Sequence, residues 1–465
     1  MIPVLGYKGN SVGVLGLGET GRVTAKALQL GGANAICWDD SELARKRAQE
    51  LGFKVLDLNS EEIISNISAL IVSPGIPHLY PEPHPIIASA MARGIILDND
   101  VGLFFRSFGR DGWVNYEKLP KVICITGSNG KSTTTALLGH ILSDNGFSIE
   151  LGGNIGNPVL NLKPGQEGDI KILEISSYQA ELARTLHPDI AVFTNLTADH
   201  LDRHSGKGGY FAAKSRLFTM GSPERCVIGV DEKEGRYLAN LMRDELISAD
   251  PVITFSSSQL PMAGGWNLSI KKEFLVEKRG GRQISSLDLR TIENLPGVHN
   301  HQNISAAYAS CRALALSPSK IEKSMKSFVG LKHRAQILGK KDGVLFVNDS
   351  KATNVSSVSN SLQAFKNIRW IAGGVEKDGG LKGLLPINPN VKAIYLIGKS
   401  QELFSGQLSD YKHYKCSEMD KAVELAFRDA KPGDTILLAP ACASFDQFNS
   451  FEERGNRFIE LFSSF

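Results

Sequence analysis

The sequence predicts an α/β protein of three successive units, each a mainly parallel sheet covered by helices. Three observations carry that expectation. Apolar runs of strand length alternate with amphipathic helical stretches, the pattern of parallel sheets. Nearly every run ends in glycine or small polar residues, as strands do where open sheets bind ligands. At 465 residues there is room for roughly three domains of about 150 each.

The first unit opens on the run Ser11 to Leu15, which feeds Gly16-Leu17-Gly18-Glu19-Thr20-Gly21 and then a helical pattern with Val23, Ala27, Leu28 and Leu30. The spacing G-x-G-x-x-G after a strand suits a pyrophosphate at a helix N-terminus. A second strand, Ala35 to Trp38, ends in Asp39-Asp40, placed to meet a ribose hydroxyl. A third, Ala69 to Val72, stops at Ser73-Pro74-Gly75-Ile76, a tight turn at a strand's carboxyl end. Alone, these residues read as a dinucleotide-binding unit, or as glycines that only close a strand–helix turn.

The second unit starts near Asp100, and an exposed connection over 107–120 leads into its sheet. The strand Lys121 to Ile125 runs into Thr126-Gly127-Ser128-Asn129-Gly130-Lys131-Ser132-Thr133, and a helix with Leu137, Leu138, Ile141 and Leu142 follows. Such a turn aims backbone N–H groups and the helix dipole at an anion. Lys131 would neutralise outer phosphates and Ser132 would ligate Mg²⁺, although Ile125 occupies the usual first-glycine position. Gly152 to Pro158 reads as a turn, too glycine-rich for an element. The buried strands Ile170 to Ser177 and Ile190 to Asn195 deliver Glu174 and His200 to the edge where Ser132 should lie, an arrangement for a hard cation. His200 and His204, four apart, leave a zinc pair as an alternative. From Val252 to Leu289, short alternating runs around Gly280-Gly281 predict a β-hairpin annex.

The third unit starts near Leu331. Its strands Val344 to Val347, Trp370 to Ala372, Ala393 to Ile397 and Thr435 to Ala439 each end in small, polar or charged residues, predicting a parallel sheet with its site at the carboxyl edge.

Composition narrows the class. A net charge of +3 implies no nucleic-acid or membrane field, and no run of 18 apolar residues occurs. The six cysteines show no metal spacing and read as buried hydrophobes. A cytoplasmic enzyme follows; separately, and not from composition, a monomer is expected.

Together these residues resemble the ATP-dependent Mur ligases of bacterial cell-wall synthesis, and within them the members that add D-glutamate. The resemblance covers nearly the whole chain. It rests on Gly16 to Gly21, Ser73-Pro74-Gly75, Thr126 to Thr133, Gly153-Asn154-Ile155-Gly156, Glu174 to Gln179, Asp199 to His204, Ala213-Lys214, His299-Asn300 with Asn303, His333-Arg334, Asn348 to Asn354, Lys377, and Ala441 to Phe448. It implies a Rossmann-like domain over 1–99, a central P-loop ATPase-type domain over 100–330 and a C-terminal Rossmann-like domain over 331–465.

The resemblance also implies roles. The first domain would hold the uridine diphosphate of UDP-N-acetylmuramoyl-L-alanine rather than NAD, through Gly18, Thr20, Asp39, Ser73 and Gly75, with Asn154 nearby. Some relatives carry an arginine directly after the acidic pair; here Ser41 stands there and Arg45 is the next arginine. ATP would lie on 127–133 with Asn300, Asn303, Arg334 and Asp349. One Mg²⁺ would take Ser132 and Glu174, and a second His200 with Lys214, whose ammonium would have to be carbamylated. From the residues alone, Lys214 reads as an ordinary surface lysine on a helix. Lys351 would stabilise phosphate charge, and Thr353, Lys377, Ser444 and Phe451 would bind D-glutamate. The implied reaction forms an acyl phosphate, then an amide, in peptidoglycan precursor synthesis. Competing readings are a nicotinamide-dependent dehydrogenase, a folate-glutamating ligase and a noncatalytic ATP-gated regulator.

Overall fold

In a computed structural model, residues 1–109, 113–154, 156–197, 199, 201–245, 251–257, 265–376 and 379–465 are described. His200, Lys377 and Ile155 lie outside them. The chain divides into two compact units, Met1–Asp288 with Gln302–Met325, and Leu289–His301 with Lys326–Phe465. The described residues form three sheets.

The first sheet has strands β1 (Ser11–Leu15), β2 (Asn34–Trp38), β3 (Ala69–Val72) and β4 (Ile96–Asp98), in the order β2-β1-β3-β4, all parallel. β4 is only three residues long and escapes a pattern reading. The order puts Gly16, Asp39 and Ser73 at the carboxyl ends of three adjacent strands, the natural ligand edge.

The second sheet comprises β5 (Lys121–Thr126), β6 (Ile149–Gly153), β7 (Ile170–Glu174), β8 (Ile190–Phe193), β9 (Arg225–Gly229), β10 (Val252–Ser256), β11 (Trp266–Lys271), β12 (Phe274–Arg279) and β13 (Arg282–Asp288). Its order is β13-β12-β11-β10-β9-β8-β5-β7-β6. β7 and β8 flank β5 and are buried along their length, which explains their unbroken apolar runs. One apolar core cluster includes Val12 and Val14 of the first sheet and Val122 and Cys124 of the second.

Two expectations change here. Gly152 and Gly153 belong to an edge strand rather than a turn: Gly153 pairs with Glu174, and a Cβ there would lie 2.2 Å from the Glu174 carbonyl oxygen. Glycine permits that close approach of two backbones. The expected annex is also no separate body, because β10 and β11 extend the parallel sheet and only β12 and β13 form the hairpin around Gly280-Gly281.

The third sheet comprises β14 (Gln336–Lys341), β15 (Val344–Asn348), β16 (Ile368–Gly373), β17 (Val391–Ile397), β18 (His413–Ser417) and β19 (Thr435–Leu438), in the order β14-β15-β19-β16-β17-β18. Five strands run parallel, as expected, and β14 adds an antiparallel edge through a hairpin at Asp342-Gly343. All six cysteines are buried and unpaired. Among the described residues no helix is long and apolar enough to cross a membrane.

Candidate active site

The strand β5 ends at Thr126 and the helix Lys131–Asp144 begins five residues later, so residues 127–130 must turn tightly. Gly130 takes a φ of 82°, and a Cβ on it would meet Asn303 Oδ1 at 1.9 Å. Asn303 therefore packs against the turn's backbone, as only glycine allows. The turn is braced from the end of β8: the Asn129 amide donates to Asn195 Oδ1 at 2.9 Å, and Thr194 Oγ1 donates to the Asn129 carbonyl at 2.8 Å. Asn195 Nδ2 donates onward to Gln302 Oε1 at 3.0 Å. Ser128 Oγ donates to the Thr197 carbonyl and lies 3.2 Å from the Tyr210 hydroxyl.

The cations of the turn converge. Lys131 Nζ donates to the carbonyls of Gly127 and Ser128 at 3.0 and 2.9 Å. Lys214, on the helix Lys207–Thr219, is no surface lysine: it is 1% exposed, lies 4.4 Å over the Tyr210 ring and donates to the Gly127 carbonyl at 2.8 Å. Burial, and then the Lys131 charge, hold its ammonium well below the ordinary lysine range, partly opposed by Asp199 and Glu174. That favours the neutral amine.

Glu174 closes β7 and is buried. Its Oε1 accepts from Asn154 Nδ2 at 2.8 Å, while Oε2 is buried with no hydrogen-bond donor among the described residues. An ionised oxygen left so is costly unless a cation pairs with it. Ser132, at the helix start, is also buried, and Thr133 half-buried. The oxygen donors Ser132 and Glu174 thus suit a hard cation. Among the described residues no group of three His, Cys, Asp or Glu is arranged to hold a metal. His204 directs Nε2 to Ser177 Oγ at 2.9 Å and Nδ1 toward Glu181 at 3.1 Å, so both ring nitrogens face protein partners.

At the first sheet, Asp39 braces the glycine turn: its carboxylate accepts the Leu17 amide at 2.7 Å and the Ser41 amide at 2.9 Å. Ser73 Oγ donates to the Gly16 carbonyl at 3.1 Å. Gly18 and Gly75 are exposed and Thr20 half-buried, so the turn's mouth is open to a ligand.

The second compact unit gathers another set. Asp349 Oδ1 accepts the Ala335 amide at 3.1 Å, Ser361 Oγ donates to Oδ2, and burial raises the carboxyl's pKa against the lowering effect of Ser361. Arg334 precedes Ala335 and adds a smaller lowering. Lys351 Nζ sits 3.8 Å over the Phe451 ring, and Phe451 opens the helix Phe451–Ser464. Ser444 is buried and Thr353 half-buried. Arg454, fully buried, donates to the Ser350 carbonyl at 2.9 Å and the Cys442 carbonyl at 3.1 Å, locking the loops of Thr353 and Ser444 together. Asn300 Nδ2 donates to the Pro296 carbonyl at 2.7 Å.

Sequence reasoning gave no role to Asn195, Tyr210 or Arg454. A polar residue just past a buried strand is a signal that could have found Asn195; Tyr210 and Arg454 carry none, because only folding brings them to these loops.

The chain is similar to several known proteins. The family profile described as Mur ligase middle domain matches residues 125–311, and that of the Mur ligase glutamate ligase domain matches 333–442. A UDP-N-acetylmuramoylalanine–D-glutamate ligase of Dinoroseobacter shibae is 55% identical, covering 99% of this chain and 98% of its own. One from Cereibacter sphaeroides is 54% identical over 99% of both. Among solved structures, the UDP-N-acetylmuramate–alanine ligase of Thermotoga maritima shares the fold with a TM-score of 0.57 at 17% identity, covering 98% of this chain and 99% of its own.

Proposed function

The chain belongs to the Mur ligase family, and from that premise we propose that it joins D-glutamate to UDP-N-acetylmuramoyl-L-alanine with cleavage of ATP to ADP and phosphate. The reaction belongs to peptidoglycan precursor synthesis, and we place it in the cytoplasm, carried out by a monomer. The observation that carries the reading is the braced turn 127–133 with its two lysines, next to the strand end where a Glu174 oxygen is buried with no donor among the described residues.

A carboxylate is a poor electrophile, so the alanyl carboxylate must first take the γ-phosphoryl group of ATP. The turn's amides and Lys131 hold the triphosphate and stabilise the charge that spreads during transfer. Mg²⁺, held by Ser132 and Glu174, would supply further charge neutralisation. A second ion would take His200 and Lys214. For that, the neutral Lys214 amine adds to CO₂, forming an N–C bond and releasing one proton, and the resulting carbamate offers oxygens. The depressed Lys214 pKa supports this.

The amine of D-glutamate then attacks the acyl phosphate, and the tetrahedral intermediate expels phosphate. We assign Thr353, Lys377, Ser444 and Phe451 to the amino acid. Asn300, Asn303, Arg334 and Asp349 are assigned to the nucleoside side of ATP, and Lys351 to developing phosphate charge. Gly18, Thr20, Asp39, Ser73 and Gly75 are assigned to the uridine diphosphate, and Asn154 to the same substrate. On this reading the functional domains are 1–99, 100–330 and 331–465.

The test is phosphate release from ATP with UDP-N-acetylmuramoyl-L-alanine. Release is expected with D-glutamate and absent with L-glutamate or with either substrate omitted. Equal release with both enantiomers would refute the assignment.

A further inference from the structure

We propose that Arg203 pairs with the diphosphate of the nucleotide substrate, an inference that rests on the first-sheet assignment above. Arg203 lies in the short 3-10 turn Leu201–His204. Its guanidinium sits 4.8 Å over the Tyr178 ring, and Tyr178 is itself stacked on His204 at 5.1 Å. Ser177 and Glu181 hold His204 in place, so the aromatic platform beneath the arginine is fixed.

Two observations then point outward to a ligand. Nη1 makes only a long contact to the Gly75 carbonyl, 3.4 Å, which sets the guanidinium against the turn Ser73-Pro74-Gly75. Among the described residues, Nη2 is buried without a hydrogen-bond acceptor and no carboxylate lies within ion-pair distance of Arg203. A buried guanidinium nitrogen left unpaired is unfavourable, and a phosphate oxygen is the acceptor its planar fork fits best.

The neighbouring arginines are spoken for by backbone. Arg22 Nη1 donates to the Leu17 carbonyl at 2.7 Å. Arg45 lies 4.5 Å over the Trp38 ring and donates to the Asp39 and Asp40 carbonyls at 2.6 and 2.9 Å. Position 41 carries serine, which supplies no cation. The turn at Gly75 is joined to the glycine turn through Ser73, so a diphosphate at the start of the helix Glu19–Leu30 comes within the region Arg203 faces. Arg203 thus gives the first sheet a cation from the second, within one compact unit.

Calorimetric titration of the full-length protein with UDP and with uridine tests this. Arg203→Met should weaken UDP binding by about tenfold or more while leaving uridine binding unchanged, and Arg203→Lys should recover part of the loss. The melting temperature and the KM for ATP should stay at their unsubstituted values. UDP binding by Arg203→Met at full strength would overturn the proposal. So would equal losses for UDP, uridine and ATP, which mark a structural role. Failure of the unsubstituted protein to bind UDP would instead overturn the first-sheet assignment beneath it.

Discussion

Lys131 and Lys214 share one acceptor: their ammonium groups donate to the same Gly127 carbonyl, at 3.0 and 2.8 Å. Two like charges on one oxygen, one of them buried, cannot both be comfortable. The buried partner yields, and the Lys214 pKa falls well below its ordinary value. Burial first, and the Lys131 charge second, make Lys214 a poor ammonium and favour the neutral amine that the proposed carbamate needs.

Lys214→Arg should therefore be nearly inactive, since arginine keeps the charge but forms no carbamate. Stripping bicarbonate from the buffer should lower the activity of the unsubstituted enzyme, and restoring it should return the rate. Steady-state rates across a bicarbonate series check both. An active Lys214→Arg enzyme with unchanged Mg²⁺ dependence would defeat the carbamate.

Gly153→Ala should destabilise the protein and the proposed Mg²⁺ site together. Gly153 has a φ of 100°, and the added Cβ would lie 2.2 Å from the Glu174 carbonyl oxygen. The backbone strain alone costs about 1–3 kcal/mol, and the clash adds to it by pushing Glu174 aside. Chemical denaturation should show the loss, and turnover should require more Mg²⁺. Normal stability and Mg²⁺ response would show that the strand moves freely.

Asp100 is buried, and burial, only partly offset by the Val101 amide and Gln179, pushes its carboxyl up to about 6 from 3.8. The folded state holds this proton more tightly than the unfolded chain does. Its stabilising contribution is complete below the unfolded value and is lost as pH rises to about 6. Asp100→Asn should therefore raise stability at pH 8 by up to about 3 kcal/mol and leave it nearly unchanged at about pH 3, below both values. Denaturant titrations at the two pH values decide.

Ser444→Ala should raise the KM for D-glutamate about tenfold and leave that for ATP unchanged, because one buried hydroxyl is removed from the proposed amino-acid site. Substrate-saturation curves for each substrate separate the effects. An unchanged amino-acid KM would move the D-glutamate site elsewhere.

What could be read in advance follows from where information sits in the chain. The turn 127–133 was legible because strand, glycines, lysine and helix are contiguous, and local geometry needs nothing more. Glu174 was legible as the last residue of an apolar run. Lys214 was not: residue pattern alone makes it a solvated helix lysine, and its burial depends on Tyr210 and Gly127, the latter 87 residues away. Gly153 was misread because glycine signals a turn and a close backbone approach alike, and only the pairing with Glu174 separates them. β14 was missed because its apolar alternation is weak and its partners supply the order.

The central claim is that the alanyl carboxylate is activated by phosphoryl transfer and then attacked by D-glutamate. Labelling both oxygens of that carboxylate with ¹⁸O and measuring the phosphate released on reaction with ATP and D-glutamate tests it most directly. An acyl phosphate intermediate carries one labelled oxygen into each phosphate. Phosphate free of label, formed at the same rate as the amide, would contradict it.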